Sequence, residues 1–434
     1  MRRTSIALTL IILMVVATGT QFADISTANF FPDPGPDLPR IYIRSDGSIN
    51  PSTAPIERQD NQYTLTDDVV LYTIEIQHDN IVLNGAGHTI QGNGTWLGYE
   101  NGNNGIIMSE QNNINITHLN IEQYYTGIRI SSSSSINIAD NTFTKGTTMG
   151  VAIQDSTNIL IEENNFTDLI TDLSTPAIRL NGSNNVIKNN KLTGSTYGMK
   201  IEGSSNIISD NKIESLLPII VDKADSNTIA RNNITGPASS SHFPDQNCKG
   251  NEGITLFSQC SNNMIFGNSI IGFINQAVRT VFSCSNNTFY GNYMADNGFA
   301  VVLQEGALNN KFYGNTFAAD SCNVSVYDAE CNFWDNGTLG NFWGDYAGSD
   351  SNGDGIGDSP YVLKGFKWDT DVDGFVTAPA GQDNYPLMNP YDIERNAAVL
   401  PTASPFATLL VATASIAIAL GVGLMFYFKK RKNH

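Results

Sequence analysis

An acidic segment near the C-terminus has the residue spacing of a calcium-binding loop. It runs from Asp350 to Asp358, with oxygen-bearing side chains at alternate positions and Gly355 at the sixth. This matches the first nine positions of an EF-hand loop, although Tyr361 stands where that loop has its bidentate Glu. The sequence therefore predicts an incomplete Ca²⁺ site, which water or a carboxylate such as Asp345 would complete. The predicted ligands are Asp350, Asn352, Asp354, the backbone carbonyl of Ile356, and Asp358.

A second acidic run follows a few residues later. Asp369, Asp371 and Asp373 repeat the alternate spacing and precede Gly374, but no acidic residue stands at the ninth position. We predict these three as ligands of a second, weaker Ca²⁺ site. For both segments the alternative interpretation is a solvated turn rich in Asp and Gly.

The residues that could bind copper are scattered. A copper site needs Cys, Met and His side chains gathered at one place. His78, His88, His118 and His242 are spread along the chain, and no His-x-His, Met-x-x-Met or Cys-x-x-Cys spacing occurs. We therefore predict no specific copper site.

Charged side chains recur at a regular spacing in the middle of the chain. Arg179 and Lys200 are 21 residues apart, Glu202 and Asp222 are 20 apart, and Arg279 lies further along. Paired carboxylates can supply the acid and the nucleophile or base of glycoside hydrolysis, and a basic residue beside a Ca²⁺-bound uronate could support lyase chemistry. Three cations against two acids favour an anionic glycan as the ligand. The alternative is a solvated face of mixed charge.

The elements that must position these residues follow a repeat of about 22 residues. An Asn followed two positions later by an apolar residue recurs with steps of 23, 26, 21, 21, 36, 24 and 23 residues. Short apolar-x-apolar trios recur in the same phase, so each repeat holds three short strands separated by polar turns. The step of 36 predicts an inserted loop near Gly236 to Gly250. The recurring residues are Asn141, Asn164, Asn190, Asn211, Asn232, Asn268, Asn292 and Asn315.

The repeat predicts an all-β parallel solenoid. One repeat cannot bury its apolar side alone, so successive repeats must stack as coils about 4.8 Å apart. The recurring Asn side chains would lie in turns and satisfy backbone groups of the stacked coils. Outward positions of the trios would then align Arg179, Lys200 and Arg279, with Glu202 and Asp222 two positions further on. The predicted inward residues include Ile128, Val151, Ile178, Met199 and Ile254.

Both ends of the chain have the pattern of targeting segments. Arg2 and Arg3 precede an apolar run, which predicts a secretory signal peptide within residues 1–28. Residues 406–428 are uncharged and long enough to span a bilayer as a helix, and the basic residues 429–432 follow directly. By the positive-inside rule, we expect a single-pass membrane protein whose body is extracellular and whose tail, 429–434, is cytoplasmic. The predicted regions between the ends are an N-terminal cap with first coils at 40–112, repeats at 113–335, a C-terminal cap at 336–390 and a linker at 391–405.

The composition fits an exported protein and excludes a nucleic-acid binder. The net charge is −18, whereas binding to phosphates requires a basic surface. The sequence contains 50 Asn residues and eight glycosylation sequons, which fit a glycoprotein. Matching frames around Cys260 and Cys284 predict that these residues stack in neighbouring coils. We also expect a Cys322–Cys331 disulfide, with Cys248 unpaired unless it captures Cys260.

Four segments resemble the NosD-like right-handed parallel β-helix family. They are Ile41 to Ile49, Asp79 to Ile90, and the closing pair Gly340 to Tyr346 with Asp383 to Leu387. The resemblance extends over most of residues 40–390. It implies a right-handed β-helix related to carbohydrate-binding proteins and sugar hydrolases. The bacterial founders assist maturation of a copper enzyme, but the predicted C-terminal anchor differs from them and is more typical of archaeal surface proteins.

Two classes of function remain open on the sequence. The favoured one is a non-catalytic, membrane-anchored surface protein that recognises polysaccharide or neighbouring surface proteins. The alternative is an extracellular carbohydrate-active enzyme, a glycoside hydrolase or a polysaccharide lyase. A copper-related accessory protein is the third possibility.

Overall fold

The computed structural model describes residues 38–94, 103–144, 146–169, 174–237, 251–318, 320, 322–327, 329, 331–369 and 374–391. Within these residues the chain forms strands and turns, and no helix has the length and apolar character needed to span a membrane. Outside the described residues lie the predicted signal peptide, membrane helix and basic tail. Residues 238–250 of the predicted inserted loop also lie outside them.

The strands are short, and most hold three to six residues. The first eighteen are β1 Arg40–Ile43, β2 Ile49–Asn50, β3 Ile56–Gln59, β4 Gln62–Leu65, β5 Val69–Val70, β6 Thr73–Ile76, β7 Ile81–Asn84, β8 Thr89–Gln91, β9 Asn104–Ser109, β10 Asn112–Thr117, β11 Asn120–Glu122, β12 Thr126–Ser131, β13 Ser134–Ala139, β14 Thr142–Thr144, β15 Met149–Thr157, β16 Leu160–Glu162, β17 Asn165–Thr167 and β18 Ile178–Ser183. The others are β19 Val186–Lys188, β20 Lys191–Ile201, β21 Ile207–Ser209, β22 Lys212–Asp222, β23 Thr228–Ala230, β24 Asn233–Thr235, β25 Glu252–Phe257, β26 Met264–Phe266, β27 Ser269–Ile271, β28 Gln276–Val281, β29 Thr288–Tyr290, β30 Tyr293–Ala295, β31 Phe299–Gln304, β32 Lys311–Tyr313, β33 Thr316–Ala318, β34 Cys322–Tyr327, β35 Phe342–Trp343, β36 Tyr361–Asp369 and β37 Gly374–Asp383.

These strands wind into a parallel β-solenoid of about 11 turns, as the repeat predicts. Each strand pairs in parallel with the equivalent strand of the next coil, which gives three faces. The first face contains β6, β9, β12, β15, β18, the ends of β20 and β22, then β25, β28, β31 and β34. The second face begins with β4, β7 and β10, and the third with β5, β8 and β11. Antiparallel pairs occur near the ends, in β1–β2, β3–β4 and β36–β37.

The core is a set of apolar rows that run through the coils. The inward residues predicted from the repeat are all fully buried, because every second side chain of a strand points to the same side. On the third face the aromatic rings of Phe143 and Phe166 stack with centroids 4.5 Å apart. The inward residues in question are Ile128, Val151, Ile178, Met199 and Ile254.

The recurring Asn residues form a buried ladder along one turn, which confirms their predicted role. At each rung the Oδ1 atom accepts hydrogen bonds from the backbone N–H and the side-chain amide of the Asn one coil earlier. Asn190 donates in this way to Asn211, and Asn211 donates to Asn232, at 2.9–3.0 Å. The amide of Asn211 also donates to the carbonyl of Ile187 at 2.9 Å. The ladder therefore satisfies turn groups that would otherwise be buried unpaired.

An aspartate ends this ladder. Asn341 is the last rung, and its backbone N–H donates to Oδ2 of Asp383 at 2.7 Å. The same oxygen accepts a hydrogen bond from Nε1 of Trp343 at 2.8 Å. A carboxylate accepts but does not donate, so Asp383 closes the row of amides at the C-terminal cap.

The cysteine predictions have a mixed outcome. Cys260 and Cys284 stack in neighbouring coils as predicted, and the backbone N–H of Cys260 donates to Sγ of Cys284 at 3.3 Å. Both are buried free thiols. The predicted Cys322–Cys331 disulfide is wrong, because Cys331 is an exposed free thiol. Strand β34 separates the two positions, because Cys322 is its first residue and Cys331 follows its end. A strand rises about 3.3 Å per residue, so its 6 residues carry the chain further than the roughly 7 Å between Cα atoms that a disulfide can join.

Candidate functional site

The first face carries a pocket beside two long strands that continue from one face of the solenoid to the next. Strands β20 and β22 each hold 11 residues and pass from the third face to the first without a break. Beside them lies a pocket that is partly open to solvent. Its lining among the described residues is Ser174, Tyr197, Lys200, Leu217, Ile220, Asp222, Glu252, Thr255, Phe257 and Arg279.

The register of the first face places three of the predicted residues at this pocket. Lys200 pairs with Ile220 in the next coil, Ile220 with Thr255, and Thr255 with Arg279. These four outward positions form one row. Asp222 pairs with Phe257 two positions further on, which is the second outward row predicted from the repeat.

The predicted charged residues of the middle coils form a chain of ion pairs. Nε of Arg179 lies 2.8 Å from Oε2 of Glu202, and Nζ of Lys200 lies 2.7 Å from Oε1 of the same carboxylate. Nζ of Lys200 also lies 3.1 Å from Oδ2 of Asp222. Lys200 therefore bridges two carboxylates in successive coils. Each of these side chains is less than one-fifth exposed, so water screens the pairs only weakly.

The ion pairs decide the protonation of Glu202. Burial alone would raise the pKa of Glu202, because a charged carboxylate loses its hydration. The hydrogen bond from Arg179 and the positive charges of Lys200 and Arg179 outweigh burial and lower this pKa below its ordinary value. Glu202 is thus a carboxylate that accepts hydrogen bonds, not a proton donor.

Arg279 belongs to a second, deeper ion pair. Its Nη1 atom lies 3.2 Å from Oε1 of Glu252, and its Nε donates to Oε1 of Gln304 at 3.2 Å. The other carboxylate oxygen of Glu252 accepts a hydrogen bond from the hydroxyl of Thr255 at 2.8 Å. The side chains of Arg279 and Glu252 are only 3 % and 5 % exposed. This pair forms one wall of the pocket.

The remaining wall is apolar and includes aromatic residues. Leu217, Ile220 and Phe257 line it, together with the buried ring of Tyr197. Burial raises the pKa of Tyr197 well above its ordinary value, and the carboxylates of Glu202 and Asp222 raise it further. The Tyr197 hydroxyl therefore stays protonated at neutral pH.

The sequence pattern did not identify Glu252 or Tyr197 as site residues. Both directly precede the small residue that opens an apolar-x-apolar trio, Gly253 and Gly198 respectively. Leu217 occupies the matching position in β22, in register with Tyr197. Tyr197, Leu217 and Glu252 therefore occupy the same position of the repeat. This shared position could have indicated from the sequence that they form a third row of lining residues.

Glu252 also changes the predicted charge of the site. With it, the three cations Arg179, Lys200 and Arg279 face three carboxylates instead of two. Among the described residues, the surplus of positive charge that favoured an anionic glycan is therefore absent. The arrangement is suited to hydrogen bonding with a neutral polar ligand, since its donors and acceptors are fixed and its charges cancel.

The predicted calcium loop lies at the C-terminal cap. Oδ1 of Asp350 accepts a hydrogen bond from the N–H of Gly353 at 2.7 Å, and the amide of Asn352 lies 3.0 Å from Oδ2 of Asp354. Asp358 accepts hydrogen bonds from Ser351, and these lower its pKa.

The other predicted calcium ligands stay predictions. Asp345, suggested as an additional ligand, accepts a hydrogen bond from the Tyr361 hydroxyl at 2.8 Å. Of the second acidic run, Asp371 and Asp373 lie outside the described residues, and Asp369 ends strand β36.

Comparison with known proteins identifies the family to which the fold belongs. A family model described as the right-handed β-helix region matches residues 59–171 and 176–339. Among solved structures, the periplasmic alginate epimerase AlgG is 14 % identical, with a TM-score of 0.40, over 67 % of this chain and 71 % of that chain. DFA-IIIase from Arthrobacter chlorophenolicus A6, in complex with GF2, is 12 % identical, with a TM-score of 0.46, over 57 % and 70 %.

A tailspike protein mutant of E. coli bacteriophage HK620, in complex with a pentasaccharide, is 10 % identical, with a TM-score of 0.39, over 64 % of this chain and 55 % of that chain. No curated protein matches the sequence. The narrower resemblance to NosD-like proteins stays a prediction.

Proposed function

The chain belongs to the right-handed β-helix family, and from this fold we propose that its first-face pocket binds a neutral, hydroxyl-rich saccharide without transforming it. The observation that carries the proposal is the combination of an apolar wall with ion-paired polar groups of zero net charge. A sugar ring presents an apolar C–H face and a rim of hydroxyl groups. Phe257 and Leu217 can contact the former, and Lys200 and Asp222 can hydrogen-bond to the latter.

The ion pairs of Glu202, which lies beside the pocket, favour a holding role over acid catalysis for this residue. A glycosidase needs one carboxylic acid that is protonated at the working pH. Glu202 has a lowered pKa, so it cannot supply that proton. Its carboxylate instead forms ion pairs with Arg179 and Lys200 and holds both side chains in place.

The proposal extends to where the protein acts. A signal peptide at 1–28 would direct export of the chain. A membrane helix at 406–428 would hold the solenoid at the outer surface of a cell, with residues 429–434 in the cytoplasm. Protease added to intact cells should then remove the solenoid. Protection of the solenoid while the tail is cleaved would refute this topology.

Binding of full-length protein to a panel of neutral and uronate-containing saccharides tests the pocket. Arg179→Ala combined with Lys200→Ala should weaken binding by more than about tenfold. Lys200 lines the pocket and Arg179 holds the Glu202 carboxylate that pairs with Lys200. Each hydrogen bond to a charged group contributes roughly 1.5–3 kcal/mol. The matched control is Lys188→Ala with Arg231→Ala, which removes two ion-paired cations from outside the pocket.

The control should leave binding unchanged. Full binding by the Arg179 and Lys200 double variant would refute the pocket as the site. Release of products from any saccharide of the panel by the unmodified protein would refute the non-catalytic role.

A further inference from the structure

We propose that Asp67, Asp68 and His88 bind a first-row divalent cation such as Zn²⁺ or Mn²⁺. The three residues lie near the N-terminal end of the solenoid, at the turn between the second and third faces. Each offers one ligand atom, and these atoms all lie within 4.8 Å of one another. Nδ1 of His88 is 3.5 Å from Oδ1 of Asp68. The site is separate from the saccharide pocket, which is formed by later coils on the first face.

The solenoid fixes the backbone on both sides of this cluster. Asp67 and Asp68 lie in the turn between β4 and β5, and His88 lies in the turn between β7 and β8, one coil later. Strand β4 pairs with β7, and β5 pairs with β8. The two turns are therefore held in register one above the other, and the ligands come from two coils.

Hydrogen bonds orient the two carboxylates and leave one oxygen atom of each available to bind a cation. Oδ1 of Asp68 accepts the N–H of Thr89 at 2.8 Å, and Oδ1 of Asp67 accepts the N–H of Asp68 at 2.8 Å. The Oδ2 atoms make no hydrogen bond within the described part of the chain. The Asp68 and His88 side chains are 54 % and 34 % exposed, so a cation can enter and keep water ligands.

The size of the cluster fits a small cation. Zn²⁺ binds N and O ligands at about 2.0–2.2 Å, which places neighbouring ligands roughly 3–3.5 Å apart. The ligand atoms lie within 4.8 Å of one another, so the three side chains have to move inward to reach that spacing. A cation would also offset the repulsion between the adjacent carboxylates.

The donor set selects the class of metal. One imidazole nitrogen with two carboxylate oxygens suits borderline cations such as Zn²⁺ and Mn²⁺. Ca²⁺ takes oxygen ligands and has its own predicted loop at 350–358. The absence of a thiolate or thioether from the cluster makes it a poor site for Cu⁺.

Calorimetric titration of chelator-treated full-length protein with Zn²⁺ tests the proposal, with Mn²⁺ as a second probe. All proteins should carry Asp354→Asn, which weakens the acidic loop as a competing site. Asp68→Asn keeps the acceptor for the N–H of Thr89 but removes the charged ligand, and His88→Gln removes the nitrogen ligand. Each should weaken one Zn²⁺-binding event by at least about tenfold.

The matched control is His118→Gln, which alters an exposed histidine in the next coil. It should leave both stoichiometry and affinity unchanged. The proposal is overturned if Asp68→Asn binds Zn²⁺ with the affinity and stoichiometry of its parent, or if His118→Gln lowers the affinity as much as His88→Gln. Because Asp68→Asn is isosteric, it decides the matter even if His88→Gln fails to fold.

Discussion

Nη1 of Arg279 lies 3.2 Å from Oε1 of Glu252, and both side chains are almost completely buried in the wall of the pocket. Arg279 belongs to strand β28 and Glu252 to the preceding coil, in β25. A solvated surface of mixed charge does not bury its ion pairs. This relationship therefore distinguishes the pocket from the polar exterior that any β-solenoid needs.

Replacing Glu252 should destabilise the protein strongly. Glu252→Gln leaves the buried guanidinium of Arg279 without its counter-charge, which costs about 3–5 kcal/mol in the free energy of unfolding. The midpoint of urea denaturation measures the loss. The matched control is Asp210→Asn, which breaks the exposed Asp210–Arg231 pair and should cost no more than about 1 kcal/mol. Equal losses for the two variants would contradict the account.

Asp320 should make stability depend on pH in a defined direction. Burial raises the pKa of Asp320 to about 6, although hydrogen bonds from Asn297 act in the opposite direction. Between the unfolded value of 3.8 and about 6, the folded state binds more protons than the unfolded state. Stability from this group is therefore present below pH 3.8 and is lost as the pH rises through 6.

Asp320→Asn removes that dependence and keeps the Oδ1 acceptor for Asn297. The variant should melt at a higher temperature than the parent at pH 7.5, and this advantage should vanish near pH 4. Melting curves recorded at several pH values provide the comparison. An advantage that is constant across the pH range would argue against titration of Asp320.

The asparagine ladder should be costly to interrupt. Asn211→Ala removes the acceptor of the Asn190 N–H and the donor to the Ile187 carbonyl, and leaves both groups buried. At about 1–3 kcal/mol for each unsatisfied group, the free energy of unfolding should fall by about 2–6 kcal/mol. Asn233→Ala, at an exposed position of the adjacent coil, is the control and should cost less than about 1 kcal/mol. If the two variants were equally stable, the hydrogen bonds of the ladder would contribute nothing to the free energy of unfolding.

Calcium should stabilise the C-terminal cap. A ligand that binds only the folded state raises its stability by about 2.7 kcal/mol at one hundred times its dissociation constant. Melting should therefore occur at a higher temperature in Ca²⁺ than in chelator, and Asp354→Asn should abolish the difference. Asp155→Asn, an exposed acid far from the loop in sequence, should preserve it. Identical melting of the parent protein in Ca²⁺ and in chelator would show that residues 350–358 are only a turn.

The repeat predicts most of the fold because its constraints are local and recur in every coil. An inward apolar residue such as Ile128 and a turn residue such as Asn141 each have the same environment as their equivalents one coil away. The phase of the pattern therefore fixes the parallel register and the burial. The Cys322–Cys331 pairing failed because nearness in sequence does not imply nearness in a solenoid, where the neighbour is one coil away.

The site was only partly predictable for a related reason. The outward rows containing Lys200, Asp222 and Arg279 follow from strand alternation. Glu252 and Tyr197 directly precede the small residue that opens the trio, where the alternation within the trio does not indicate the direction of the side chain. The contribution of Tyr197 depends on the path of β20 through the corner, which a repeat pattern does not specify.

A crystal structure of the full-length protein with the tightest-binding saccharide of the panel tests the central claim most directly. We predict a sugar ring in the first-face pocket, with its C–H face against Phe257 and its hydroxyls hydrogen-bonded to Lys200 and Asp222. A saccharide bound on another face, or bound at the first face without contact to Lys200 or Asp222, would contradict the proposed function.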